Sequence, residues 1–180
     1  IPTSHELNVG MVGMHGNYGP NILTNKCDLL IAIGMRFDDR VTGDTSTYAK
    51  QAKIIHLEID PAEVNKNIKV DIPVVGNCKD SLRMLTKNIK AKSYKKWVNK
   101  FDELMKKEFK KVIKSDLAPK KKGLTMGESI IAINKFTKGK AIIVTDVGQH
   151  QMVACRYANF IDSKSNITSG GLGTMGFALP

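Results

Sequence analysis

No apolar run in this 180-residue chain approaches the roughly 20 residues that a membrane-spanning helix needs. Cysteine is scarce. Cys27, Cys78 and Cys155 stand far apart, with no Cys-x-x-Cys pair. That spacing excludes a zinc site or a disulfide framework and suits a reducing compartment. Arginine is missing from residues 87–122, where fourteen Lys face only Asp102, Glu103, Glu108 and Asp116. Nearly all of the net charge of +11 lies in that stretch. Lys without Arg, on a helical pattern, reads as a solvated helix face; a basic nucleic-acid-binding module is the remote alternative. No Gly-x-Gly-x-x-Gly follows a strand in residues 1–90, so a standard dinucleotide fingerprint is not supported. There is no His pair with metal spacing, no Gly-x-Ser-x-Gly elbow and no internal repeat. An initiator Met and a signal peptide are also missing, so a chain that opens Ile1-Pro2-Thr3 is expected to be an excised or processed piece.

What is present alternates between strand and helix signals. Asp28 to Gly34 is a continuous apolar run, as in a strand covered on both faces of a parallel sheet. A short helix over Asn21 to Lys26 precedes it, a polar loop from Met35 to Gly43 follows it, and residues 45–52 predict a brief helical turn. Lys53 to Ile59 is a second strand. Asp60-Pro61-Ala62-Glu63 then has the residues of a helix start. Ile72 to Gly76 is a third strand, and Asn77 caps a helix from Lys79 to Ile89 with Leu82, Leu85 and Ile89 on one face. This order implies right-handed crossovers and a layered α/β, Rossmann-like parallel sheet. Between Ala91 and Ser115, Trp97, Phe101, Leu104, Met105, Phe109 and Val112 form one apolar helix stripe, expected to pack in a core or between domains. Ala118 to Gly123 reads as a linker. Thr125 to Glu128 has capping-box spacing before a helix from Ser129 to Phe136, which Gly139 ends. A strand over Ala141 to Thr145 comes next. The predicted divisions are 1–90, 91–122 and 123–180.

In open parallel sheets ligands sit at the carboxyl ends of strands, and polar clusters fall at those ends here. Arg36, Asp38, Asp39 and Arg40, within Gly34 to Gly43, can bind phosphates and ribose-like hydroxyls. Taken alone, the same residues could be a self-satisfied surface ion cluster. Glu58-Ile59-Asp60 can hold hydroxyls, and Gly76-Asn77 allows backbone approach with a polar amide beside it. His15 lies among Gly10, Gly13 and Gly16, where a flat ring or a phosphate chain could approach. After the strand at 141–145, Gly148-Gln149-His150 opens a helix. Gln149 and His150 can donate to a diphosphate there, helped by the helix N-terminus. Ser169-Gly170-Gly171-Leu172-Gly173 would let a ring press on backbone, with Met175 as a polarizable apolar surface.

Five phrases together closely resemble the catalytic subunit of the acetolactate synthase family of thiamine-diphosphate enzymes. They are Gly10 to Gly16, Arg36 to Gly43, Ile59 to Glu63, Gly148 to Met152, and Thr168 to Pro180. Their order and spacing match the family over essentially the whole chain. The resemblance implies a partial central FAD-binding domain over 1–90, truncated at its start, a Lys-rich helix and linker over 91–122, and the beginning of a thiamine-diphosphate-binding α/β domain over 123–180. FAD contacts would fall on Met14, His15, Gly16, Gly34, Arg36, Asp38, Arg40, Val41, Glu58, Ile59, Gly76, Asn77 and Cys78. Gln149 and His150 would contact the diphosphate, and the Gly173 backbone and Met175 side chain the pyrimidine.

The implied reaction is decarboxylation of pyruvate and condensation of the two-carbon unit with pyruvate or 2-oxobutyrate, in branched-chain amino-acid biosynthesis. A cytoplasmic homodimer or homotetramer with a small regulatory subunit is implied, without nucleic acid or membrane. The family's activating glutamate belongs to an N-terminal domain, and its Mg²⁺ ligands are expected beyond Pro180. No catalytic or metal residue is therefore assigned within the chain, and the isolated piece is expected to be inactive. Two departures stand out: Asn77 where the family usually has Asp, and Val153 where many members have Trp. Glyoxylate carboligase or a decarboxylase of the same superfamily is the alternative.

Overall fold

The three apolar segments of the first half form a parallel sheet in the computed structural model, which describes residues 1–118 and 122–179. The chain divides into two compact units. One comprises 12–14 and 20–99; the other comprises 1–11, 15–19 and 100–180.

In the first unit β1 (Leu29–Ile33), β2 (Lys53–Glu58) and β3 (Ile72–Val75) lie in the order β1-β2-β3. Ala32 sits opposite His56, and His56 opposite Pro73. Pro73 has no N–H to give, which an edge strand tolerates. The buried core joins Ala32, Phe37, Tyr48, Ala49, Ile54, Ile68 and Val70. β1 was expected to be covered on both faces, yet Leu29, Ile31 and Ile33 alternate outward and are exposed. Only the Leu30 and Ala32 face meets the core.

Local signals set the remaining elements, with some differences from expectation. α1 (Tyr18–Thr24) starts before Asn21, because Pro20 is tolerated in a first turn whose N–H groups have no helical acceptor. The predicted loop 35–43 contains a short helix, α2 (Asp39–Thr42), whose N-cap Asp38 accepts from the Arg40 amide. Residues 45–52 form turns rather than helix. The helix start at Asp60 yields one 3-10 turn, Pro61–Glu63, because Val64 is already extended. α3 (Cys78–Asn88) follows the Asn77 cap. Leu82 and Leu85 are half-buried, whereas Ile89 lies past the helix end and is exposed.

The Lys-rich stripe is not one α-helix. α4 (Lys95–Glu108) passes into a π-helix, Phe109–Ile113, and then into α5 (Lys114–Leu117). The wider turn breaks the stripe's register. Trp97, Phe101 and Leu104 are half-buried, while Met105, Phe109 and Val112 remain exposed. The predicted linker falls partly on residues 119–121, outside the described residues.

In the second unit α6 (Met126–Thr137) begins with the predicted capping box: Thr125 and Glu128 each bond the other's backbone. It ends on Lys138 in left-handed conformation, followed by Gly139. A Cβ on Gly139 would lie 2.8 Å from the Ile161 side chain. β4 (Ile143–Thr145) pairs in parallel with β5 (Asn166–Thr168), and α7 (Gln149–Tyr157) lies between them in sequence. Asn134 joins α6 to the end of α7, donating to the Tyr157 carbonyl at 2.7 Å and accepting from the Asn159 amide at 3.0 Å. No helix among the described residues is long and apolar enough to cross a membrane.

Candidate functional site

Parallel register brings the carboxyl ends of β1, β2 and β3 to one edge. The Gly34 amide bonds the Leu57 carbonyl at 2.8 Å, and the Gly76 amide bonds the Glu58 carbonyl at 2.9 Å. Gly34, Met35, Arg36, Asp38, Glu58, Asp60 and Glu63 line a cleft of about 520 Å³ there. Arg36 pairs with Asp38 at 3.3 Å, and both remain solvent-accessible. Glu58 is buried, and one of its oxygens accepts from the amides of Ile59 at 2.8 Å and Asp60 at 3.2 Å.

The residues of α2 line a second cleft of about 250 Å³, together with Gly13, Met14, Asn21 and Tyr48. The Met14 amide bonds the Arg40 carbonyl at 2.8 Å. A Cβ on Gly13 would stand 2.7 Å from that carbonyl, so glycine is what lets the two backbones meet. Of the predicted FAD residues of this unit, Gly34, Arg36, Asp38 and Glu58 line the first cleft, and Met14, Arg40 and Val41 line the second. Gly76, Asn77 and Cys78 line neither cleft. The Asn77 side chain accepts from the Lys79 amide at 2.9 Å as a helix cap, and the Cys78 thiol faces the Leu57 carbonyl at 3.6 Å. Ile59 is exposed just past β2. His15 and Gly16 belong to the other unit, where the Gly16 carbonyl accepts from Arg156 at 3.3 Å.

In the second unit the end of β4, the start of α7 and the glycine loop are tied together. The Asp146 carboxylate accepts from the Val147 amide at 2.8 Å and from the Gly176 amide at 2.9 and 3.0 Å. The Val147 and Gly176 amides, in that order, hold its carboxyl below the usual range. Ser169 organises the loop: its carbonyl accepts from Gly173 at 3.0 Å and its hydroxyl from Thr174 at 2.9 Å. Gln151 bonds Thr168, fixing α7 to β5. Gly148, at φ +150°, precedes α7, whose first amides have no intrahelical acceptor. Gln149 and His150 stand on that first turn and are exposed. Gly173 has φ +63° and nothing within 4 Å of a Cβ position, and Met175 is 72% exposed. Open space at Gly173 and the exposed first turn of α7 leave backbone and polar side chains accessible to a ring or a diphosphate.

Asp146 was given no role from sequence, and Gln151, Thr168 and Ser169 entered only as members of motif stretches, without a role of their own. Asp146 could have been given one, as an acidic residue at the carboxyl end of a strand; the others show their role only once paired. Among the described residues no group of three or more His, Cys, Asp and Glu could hold a metal ion, so no step is assigned to one. A cavity of about 760 Å³, lined in part by Met105, Glu108, Phe109 and Arg156, contains none of the predicted site residues.

Residues 1–85 match the central domain of thiamine pyrophosphate enzymes, and residues 146–180 match their C-terminal TPP-binding domain. The chain belongs to this family of thiamine-pyrophosphate-dependent enzymes. Within it, the chain is similar to acetolactate synthase large subunits over its whole length. It is 40% identical to that of Lactococcus lactis and 42% identical to that of Corynebacterium glutamicum, covering 31% and 29% of those proteins. It is 43% identical to a probable acetolactate synthase large subunit of Methanocaldococcus jannaschii, covering 31% of it. The chain spans about a third of the length of the curated relatives it matches.

Proposed function

We propose that the chain is a section of an acetolactate synthase large subunit, in which 1–90 contributes to a central FAD-binding domain and 123–180 to the thiamine-diphosphate domain, joined through 91–122. The activity is decarboxylation of pyruvate and ligation of its two-carbon unit to pyruvate or 2-oxobutyrate. The observation that carries this is the chain-long identity of 40–43% to acetolactate synthase large subunits, which runs through both cofactor motifs.

Thiamine diphosphate, when bound, supplies the carbanion chemistry. This chain's part is to hold and orient. Gln149, His150 and the α7 N-terminus would meet the diphosphate. The Gly173 backbone and Met175 would meet the pyrimidine, in a loop kept in shape by Asp146 and Ser169. Arg36, Arg40 and Asp38 would meet the phosphates and hydroxyls of FAD, with Glu58 fixing the turn beneath them. Mg²⁺, the homo-oligomer, a small regulatory subunit and a cytoplasmic location complete the proposal.

The test uses the full-length protein with thiamine diphosphate, Mg²⁺, FAD and pyruvate. Acetolactate is expected, and acetohydroxybutyrate when 2-oxobutyrate is added. Turnover of glyoxylate but not pyruvate, or acetaldehyde as the only product, would overturn the proposal in favour of another enzyme of the family.

A further inference from the structure

The loop that follows β1 alternates in a way that β-strand propensity does not explain. Phe37 packs into the core and Met35 lies against it at the edge of the cleft, while Arg36 and Asp38 line the cleft with their polar groups. Phe37 is 2% exposed although it adopts φ +53°, a conformation that costs a non-glycine residue energy. Something must hold the loop in that shape, and the structure shows two side-chain donors doing so. His56 of β2, fully buried, places Nε2 2.8 Å from the Met35 carbonyl. The acceptor is a carbonyl, so Nε2 carries the proton. The same ring packs edge-on against Phe37 at 5.0 Å and 70°. Asn67 donates from Nδ2 to the Phe37 carbonyl at 3.0 Å. Met35 and Phe37 are thus pinned by their carbonyls. Neither His56 nor Asn67 lines the cleft that Arg36 and Asp38 share.

We infer that His56 and Asn67 are positioning residues of the cofactor cleft: by fixing the carbonyls of Met35 and Phe37 they aim Arg36 and Asp38 at the phosphate- and ribose-bearing part of FAD. The inference rests on the proposed FAD-binding function. Removing either donor leaves a carbonyl without its partner and lets the loop relax. The loss then falls on ligand geometry more than on the fold, because a displacement of about 1 Å in a positioning group is costly for the ligand it serves.

The experiment measures FAD dissociation constants by flavin fluorescence quenching, and apo-protein melting temperatures, on the full-length protein. His56→Phe keeps the ring volume and removes the donor. His56→Gln keeps an N–H near the Nε2 position. Ile54→Ala, on the same strand and buried in the core, is the control for stability alone. His56→Phe is expected to weaken FAD binding about tenfold, and His56→Gln no more than about threefold, the range that one buried hydrogen bond controls. Ile54→Ala should lower the melting temperature at least as far as His56→Phe while leaving FAD affinity within about threefold. If His56→Phe does not fold, Asn67→Ala decides, with several-fold weaker binding expected at little cost in stability.

Wild-type affinity in His56→Phe, equal losses in His56→Phe and Ile54→Ala, or unchanged affinity in Asn67→Ala where that variant decides would overturn the positioning role. A wild-type full-length protein that binds no FAD would instead remove the proposed function, and the inference with it.

Discussion

The two units are held together by different means. The unit built on β1, β2 and β3 has an apolar core in which Phe37, Tyr48, Ile54, Ile68 and Val70 meet. In the other unit the buried hydrophobic side chains among the described residues are Ala154 and Ala158, and the buried polar ones are Glu108, Asn134, Thr145 and Ser165. Several of its larger apolar residues, Ile133, Phe136 and Ile142 among them, are exposed. Its cohesion comes from latches: Glu108 to Arg156, Asp116 to Tyr157, Asn134 to the end of α7, and Asp146 to Gly176. Apolar burial is non-directional and insensitive to pH, whereas latches depend on geometry and on ionisation. The loop after β1 inherits stiffness from a core residue, Phe37. The glycine loop inherits its shape from an accessible carboxylate and a serine.

Breaking each unit's own device sharpens this contrast. Phe37→Ala should cost the sheet unit about 3–5 kcal/mol in urea unfolding, since it removes a buried aromatic from the core. Arg156→Ala should cost the other unit about 3 kcal/mol or more, because the Glu108 carboxylate would be left buried alone. Replacing both, as Arg156→Met with Glu108→Leu, should recover most of that loss. A loss that persists in the double variant would show that packing, not charge, is what the pair contributes. Asn134→Ala should cost about 1–3 kcal/mol, leaving the Tyr157 carbonyl and the Asn159 amide without their partner.

The pH effects are smaller and act on the latched unit. Burial, followed by the hydrogen bond to Asp116, pushes the Tyr157 hydroxyl up to about 12. Its contribution to stability is complete below the unfolded value near 10 and declines as pH rises from there through about 12. A spectrophotometric titration should find one tyrosine ionising late, and Asp116→Asn should bring it earlier. Asp146 is the reverse case, with its folded carboxyl held below the ordinary 3.8. The tie to Gly176 is present above that value and is lost as pH falls through the lowered one. Protection of the Gly176 amide, taken relative to its intrinsic exchange rate at each pH, should fall over that acid range and stay constant in Asp146→Asn.

The strand positions and the caps at Asp60, Asn77 and Thr125 were legible in the sequence because each is a local signal with a local cause, and parallel pairing followed from the continuous apolar runs. So were the clusters at the strand ends, once a parallel sheet was assumed. Less was legible where two distant segments decide the outcome. His56 looks like one more residue in an apolar strand until Met35 comes over it. Asn67 lies in a polar stretch with no motif. The short α2 depends on one Asp38 side chain choosing the Arg40 amide. The open outer face of β1 is invisible in composition, because Leu29, Ile31 and Ile33 belong equally to a covered strand. The apolar stripe of α4 was correctly found but wrongly continued, since spacing alone does not show where a helix widens.

That widening bears on how much change in chain length the protein can absorb. The π-helix Phe109–Ile113 holds one residue more per turn than its neighbours need, so it behaves as an accommodated insertion. Deleting one residue there would restore an α-helix with the flanking segments still in phase, whereas inserting one more would turn everything after it by about 100°. Asp116 would swing away from the Tyr157 hydroxyl, and its carbonyl away from Thr125, which meets it at 2.6 Å to start α6. A substitution in this segment alters one side chain, whereas a further insertion puts the entrance to the next helix out of phase. Here the count of residues is more tightly constrained than their identity.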